Sequence, residues 1–148
     1  MSSAGSYRRA MPIDLQILGR DVKRAQHRQH RALDAALGGI GTTLVQWDAL
    51  RAIANAPGAS AHDLALATFQ TDQAFGTLAN RLEAQGMIAR TRGEGRRIDH
   101  RLTAAGARML RDANAIATRI RAEAFAPLTE ADRRQLQHLL DKLLANET

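Results

Sequence analysis

The feature that most constrains this chain is a change of hydrophobic period. Up to Gly86 the apolar residues recur at helical spacing, whereas from Met87 they alternate, with Met87, Ala89 and Thr91 set against Ile88 and Arg90. After the stretch Arg92-Gly93-Glu94-Gly95-Arg96 a second alternating run places Ile98, His100 and Leu102 against Arg97, Asp99 and Arg101. Two alternating runs around a glycine-containing loop specify a β-hairpin. At Thr103 the helical period returns.

The hairpin is preceded by three short helical segments, each with a start signal. Thr43 and Gln46 have the spacing of a capping box, in which each side chain satisfies the other's unpaired backbone N–H. The helix they open carries Trp47, Leu50, Ile53 and Ala54 as its buried stripe and stops at Pro57-Gly58. Ser60 and Asp63 repeat the spacing for a helix reaching about Ala67. A further helix begins after a tight turn at Thr71, directs Phe75, Leu78 and Leu82 inward and ends at Gly86. Helix, helix, helix and hairpin over residues 43–103 is the order of a winged helix-turn-helix, whose last short helix enters the major groove of DNA beside the hairpin wing.

Longer helices flank this block. Residues 1–11 are small, polar and basic without periodicity and read as a mobile arm; Pro12 suits a first helical position. Leu15, Leu18, Val22, Ala25, Ala32 and Ala36, with Leu33 and Leu37 beside them, stripe a helix that Gly38, Gly39 and Gly41 end. After the hairpin, Met109, Leu110, Ala113, Ile116, Ala117 and Ile120 stripe a fifth helix that ends near Pro127. A capping box at Thr129 and Asp132 opens a sixth, with Leu136, Leu139, Leu140 and Leu143 on one face. The fold class is therefore mainly α with a small β-hairpin. A single domain over residues 12–148 comprises the winged block and outer dimerisation helices at 12–41 and 104–148, which pack on each other and on a second copy.

The chain has 148 residues, enough for one domain, and a formal net charge of +6 supplied almost wholly by Arg. Arg presents a planar fork that matches phosphate or a guanine edge, so the balance favours an anionic partner. Cysteine is absent, which removes thiol nucleophiles, thiolate metal sites and cysteine redox switching. With no apolar run long enough to span a bilayer and no signal core, the expectation is a soluble cytoplasmic protein without membrane partners. No glycine-rich phosphate loop, nucleophile with its base or metal quartet is present, so no catalytic activity, cofactor or metal is expected. His27, His30 and Asp34 have ligand-like helical spacing but lack a fourth ligand and read as a polar helix face among Arg24, Arg28 and Arg31.

The candidate DNA contacts lie on two elements. Opposite Phe75, Leu78 and Leu82, the last short helix carries Gln73, Gly76, Thr77 and Asn80, bordered by Thr71, Asp72 and Arg81. Gln73 suits a bidentate pair with adenine, Thr77 a thymine methyl or a phosphate, and Gly76 a close backbone approach. Asp72 would repel phosphate and is assigned to capping the helix or holding a neighbouring Arg. On the hairpin, Arg92, Arg96 and Arg97 create a local positive potential that suits a minor groove, with Glu94 holding one Arg in place.

Three segments, Leu44-Val45-Gln46-Trp47, Asn80-Arg81-Leu82-Glu83-Ala84-Gln85-Gly86-Met87-Ile88 and Arg101-Leu102-Thr103-Ala104-Ala105-Gly106, occur in an order and spacing that resembles the MarR (multiple antibiotic resistance regulator) family of winged helix-turn-helix transcriptional regulators. The resemblance covers nearly the whole chain. It implies a homodimer bound to a pseudo-palindromic operator in double-stranded DNA, a repressor released by a small aromatic or phenolic carboxylate held near the first, second and fifth helices. Trp47 with Arg24 or His27 is the expected ligand pocket. The alternative is a constitutive or architectural DNA-binding protein without a small-molecule ligand. Three departures from the family pattern stand out. Glu94-Gly95-Arg96 fills the place of the wing's acidic residue, spacer and arginine in a shorter loop. Ala74, Gly76 and Thr77 stand where relatives often carry Thr, Ser and Arg. Thr68-Phe69-Gln70 replaces a Leu-Gly-Leu-like stretch, with Phe69 expected to join the core.

Overall fold

A computed structural model describes residues 11–146 of the chain; the arm expected over residues 1–11 lies almost wholly outside them. Among the described residues the chain forms α1 (Leu15–Gly38), α2 (Leu44–Asn55), α3 (Ala61–Ala67), α4 (Asp72–Ala84), β1 (Ile88–Arg92), β2 (Ile98–Leu102), α5 (Ala104–Phe125) and α6 (Glu130–Leu144). This is a winged helix-turn-helix with flanking helices. None of these helices is long and apolar enough to cross a membrane.

Side-chain caps set the helix starts. The cap of α1 is Asp14, whose carboxylate accepts from the backbone N–H of Gln16 (2.9 Å) and Ile17 (3.3 Å), so Pro12 lies outside the helix rather than at its first position. A carboxylate at this end also answers the partial positive charge of the helix dipole. Thr43, Ser60, Thr71 and Thr103 each accept from an N–H in the first turn of the helix that follows. The capping box expected at Thr43 is only half formed, because the Gln46 side chain turns away to accept from the buried Thr42 hydroxyl. The box at Thr129 and Asp132 is complete, and its hydrogen bonds hold the Asp132 carboxyl below its ordinary pKa.

The core has two parts, and α2 belongs to both. Leu50 and Ile53 join Leu64, Phe75, Leu78, Leu82 and Ile88 in a cluster under the winged block. Trp47, one turn earlier, joins Leu33, Leu37, Ala113, Ala117 and Ile120 between α1 and α5. The outer helices thus anchor the winged block through α2. The second half of α1 packs on α5, while Leu15, Leu18 and Val22 in the first half stay exposed within one chain. Helix α6 buries none of its residues.

The hairpin is antiparallel, with Ile88 opposite Leu102 and Arg92 opposite Ile98. Ile88 and His100 are buried, but Ile98 is 45% exposed, so the inward face expected for Ile98, His100 and Leu102 ends at His100 and the outer half projects into solvent. The turn after α2 docks on the other edge of β2. Gly58 N–H donates to the His100 carbonyl (3.0 Å), His100 N–H to the Ala59 carbonyl (3.3 Å) and His100 Nδ1 to the same Ala59 oxygen (3.1 Å). This satisfies an edge that the hairpin would otherwise leave open.

Candidate nucleic-acid interface

Helix α4 is held from beneath by Phe75, Leu78, Ala79 and Leu82, all buried, which leaves Gln73, Thr77, Asn80 and Arg81 exposed on the outer side. Thr71 is the cap, accepting from Ala74 N–H at 3.1 Å. Asp72 does neither job expected of it: its carboxylate receives His62 Nδ1 at 3.0 and 3.2 Å, bracing α4 against α3. The Thr77 hydroxyl donates back to the Gln73 carbonyl at 3.1 Å, so the remaining group of this exposed side chain, its methyl, suits an apolar contact such as a thymine methyl. A Cβ placed on Gly76 would meet nothing within 4 Å, so this face is open at its centre.

Asn80 is tied to the wing. Its Oδ1 accepts from Arg90 Nη2 at 2.8 Å, and Arg90 also makes a two-pronged pair with Glu83 through Nε (3.1 Å) and Nη2 (2.9 Å). Arg90 lowers the Glu83 pKa and has its own raised, in both cases chiefly through these hydrogen bonds. The outer face of α4 and the first wing strand are therefore one unit.

At the tip, Gly93 N–H donates to the Arg97 carbonyl at 2.9 Å, and Gly95 turns the chain at φ +67°. Arg92 and Arg96 are exposed and make no side-chain hydrogen bond or ion pair among the described residues. Arg97 points back: its Nη2 donates to the Gly58 carbonyl (2.9 Å) and its Nε to Asp99 (3.2 Å). The holding carboxylate is thus Asp99 and not Glu94, whose backbone carbonyl accepts from Arg97 N–H. A Cβ on Gly93 would come within 2.9 Å of Asp99 Oδ1, so glycine there makes room for the carboxylate that positions Arg97.

A second feature lies between the winged block and the outer helices. Trp47 is buried, its indole N–H donates to Asn114 Oδ1 at 2.9 Å, and the Arg51 and Arg121 guanidinium groups stand 4.3 and 5.3 Å from the ring centroid. Beside it a cleft of about 650 Å³ is walled by residues that include His30, Leu33, Trp47, Phe69 and Arg121. Arg24 and His27 do not reach it; they line a shallow depression along α1, where Arg24 pairs with Asp21 at 3.4 Å. The structure therefore does not bring these two residues to Trp47. Their place is taken by His30, one turn further along α1, and by Arg121 of α5.

The MarR family model matches residues 40–98. The HTH-type transcriptional repressor Rv2887 of Mycobacterium tuberculosis is 34% identical over 113 residues, spanning 75% of this chain and 81% of the repressor. The chain belongs to the MarR family. Crystal structures of Rv2887 complexed with DNA (TM-score 0.73, 30% identity) and with salicylic acid (TM-score 0.70, 32% identity) each cover 85% of this chain, and 96% and 95% of the respective structures. A mutant MarR of E. coli complexed with operator DNA shares the fold at a TM-score of 0.79 and 22% identity, over 86% of this chain and 93% of its own.

Within this MarR-family chain the departure at Phe69 has a structural outcome opposite to the expected one. Phe69 does not enter the core: it is 99% exposed, at φ +56°. Phe69 N–H donates to Leu66 O (3.2 Å) and Gln70 N–H to Ala65 O (2.9 Å), the pattern of a helix end that calls for glycine. The same pattern closes α4 at Gly86, φ +75°, with Gly86 N–H on Glu83 O and Met87 N–H on Leu82 O. The Arg90 clamp went unseen in the sequence because its partners sit on a different element. The available signal was an arginine in phase with buried Ile88. Arg121 likewise follows directly on the buried Ile120.

Proposed function

We propose that this MarR-family protein is a homodimeric, double-stranded DNA-binding transcriptional repressor of the cytoplasm, with no catalytic role. The observation that carries the reading is the joining of the α4 outer face to the wing through Arg90, which groups Gln73, Thr77, Arg81, Arg92 and Arg96 on one exposed surface whose side chains make no hydrogen bond or ion pair outside their own element among the described residues. Arg97 and Asn80 contribute by bracing that surface. The DNA complex of Rv2887, at 30% identity, supports the same use of the fold.

The effector side of the reading is a small aromatic carboxylate in the cleft beside Trp47. The cleft has a size suited to small ligands, an aromatic wall, and in Arg121 a cation without an ion-pair partner among the described residues. The salicylic acid complex of Rv2887 supports this ligand class. The bare leucine faces of α1 and α6 support a second copy, formed from residues 12–41 and 104–148.

Selection of bound sequences from random duplex DNA tests the reading. A dimer with two recognition helices returns an inverted repeat with half-site centres about 10 bp apart. Recovery of no common sequence, at an affinity set by salt alone, favours instead the constitutive architectural binder, to which the small residues Ala74 and Gly76 on α4 lend support.

A further inference from the structure

Phe69 combines three properties that a turn residue does not need. Its backbone occupies the left-handed region, where a residue with a Cβ is disfavoured and glycine is not. Its ring is 99% exposed although it is a large apolar side chain. It also forms the rim of the cleft that holds Trp47 and Arg121. A strained backbone together with an unburied ring, at the edge of a cavity, points to a second position for that ring.

We propose that Phe69 is the ligand-sensing residue of this protein, folding over a planar aromatic carboxylate in the cleft and thereby displacing the turn that carries α4. The inference rests on the effector reading above and goes beyond it by naming the link to DNA. The occupant follows from charge and shape. Arg121 faces the cleft without an acidic partner among the described residues, and Asp48 on the same wall is already paired with Arg51 at 3.4 Å. The carboxylate goes to Arg121, and the ligand's flat apolar face is left for Phe69 to cover.

The link is short. Two residues after Phe69, Thr71 caps α4 by accepting from Ala74 N–H. Between them Gln70 is pinned to Ala65 O. Moving Phe69 out of the left-handed region turns this segment and shifts the N-terminal end of the helix that carries Gln73 and Thr77. Ligand then binds the two arrangements unequally, which is the condition for coupling.

The test uses full-length protein, salicylate as probe, Phe69→Gly and Phe69→Tyr. Glycine suits the backbone conformation and removes the ring; tyrosine keeps the ring. Salicylate affinity is read by calorimetry, and DNA affinity is measured with and without saturating salicylate. Phe69→Gly is expected to bind DNA like wild type, to bind salicylate about tenfold more weakly, and to lose the roughly tenfold weakening of DNA binding that salicylate causes in wild type. Phe69→Tyr restores both. Equal salicylate affinity and equal coupling in Phe69→Gly overturn the role of Phe69 while leaving the effector reading intact. Wild type that binds salicylate without a change in DNA affinity overturns the coupling. No salicylate binding by wild type removes the effector reading and this inference with it. A change of oligomeric state in Phe69→Gly identifies the ring as a subunit contact instead and also overturns the proposal.

Discussion

Arg90 and Glu83 meet through two hydrogen bonds, Nε and Nη2 against the two carboxylate oxygens at 3.1 and 2.9 Å, and this pair joins the recognition helix to the wing. A paired fork of this kind fixes orientation as well as distance. Because Arg90 also reaches Asn80 Oδ1, the outer end of α4 and the middle of β1 cannot move independently.

The first prediction concerns acid. Arg90 holds the Glu83 carboxyl below its ordinary value, so its contribution to stability is present above the unfolded-state pKa and is lost as pH falls through the folded one. Glu83→Gln keeps the size and one acceptor but removes the charge. Its urea midpoint is expected to lie below that of wild type at pH 7, and the two curves to converge below about pH 4. Faster amide exchange at Thr91 and Arg92 in the variant is the accompanying sign of a loosened wing. Parallel curves across the whole pH range would show that the pair is not coupled to folding.

The second prediction concerns Gly106. A Cβ at this position would run into the Met87 carbonyl, where the chain passes from α4 into the wing. That carbonyl already accepts from Thr103 N–H at 3.1 Å, so backbone at the hairpin base would have to shift. Gly106→Ala is expected to lose on the order of 3 kcal/mol by denaturation. Gly76→Ala, a helix-interior position whose Cβ meets nothing, is expected to gain about 0.5–1 kcal/mol and serves as the control.

These two cases show what the sequence could and could not disclose. The helices and hairpin were legible because their signals are local: Ser60 before Asp63, Thr103 before Gly106, and a period that changes at Met87. Phe69 was misread because hydrophobicity argued for burial, while the helix-end hydrogen bonds at Leu66 and Ala65 fixed a conformation that turns the ring outward. The exposure of the candidate contacts on α4 and the wing was legible from the helical and alternating periods. The separation of Arg96 from Arg97 was not, since it depends on the Gly58 carbonyl, a partner on another turn. Replacement of Arg24 and His27 by His30 and Arg121 beside Trp47 reflects the same limit, because rotation of α1 about its axis is set by where Leu33 and Leu37 pack.

The third prediction separates those two arginines. Arg96 is exposed at the tip, whereas Arg97 is bound to Gly58 O and Asp99. Arg96→Ala is expected to weaken operator and scrambled duplexes by similar factors and to flatten the slope of log affinity against log salt by about 1 per wing engaged. Arg97→Ala instead lowers stability by about 1 kcal/mol, since a part-buried carbonyl loses its donor, and leaves the salt slope unchanged. Salt titrations of both variants, with circular dichroism as a check on folding, distinguish these outcomes. An unchanged slope for Arg96→Ala would take the wing out of the DNA interface.

The last prediction concerns the second copy. Helix α6 buries none of its residues within one chain, and Leu139, Leu143 and Leu144 are 48%, 76% and 51% exposed. A helix of 15 residues is marginal in water on its own, so packing of its leucine face on a second copy is the added stabilisation that this prediction tests. Leu15, Leu18 and Val22 on α1 present a second bare face. The double substitution Leu139→Asp with Leu143→Asp places charge in this face without removing any core contact of the winged block. If the face covers a second copy, sedimentation at micromolar concentration changes from dimer to monomer, and α6 frays with a measurable loss of helical ellipticity. DNA binding then rests on one recognition helix. Losing the effective concentration of the second weakens operator affinity by about 10²- to 10⁴-fold, with little effect on affinity for an isolated half-site. A variant that stays dimeric with full ellipticity would show that α6 does not form the interface and that the α1 face must supply it.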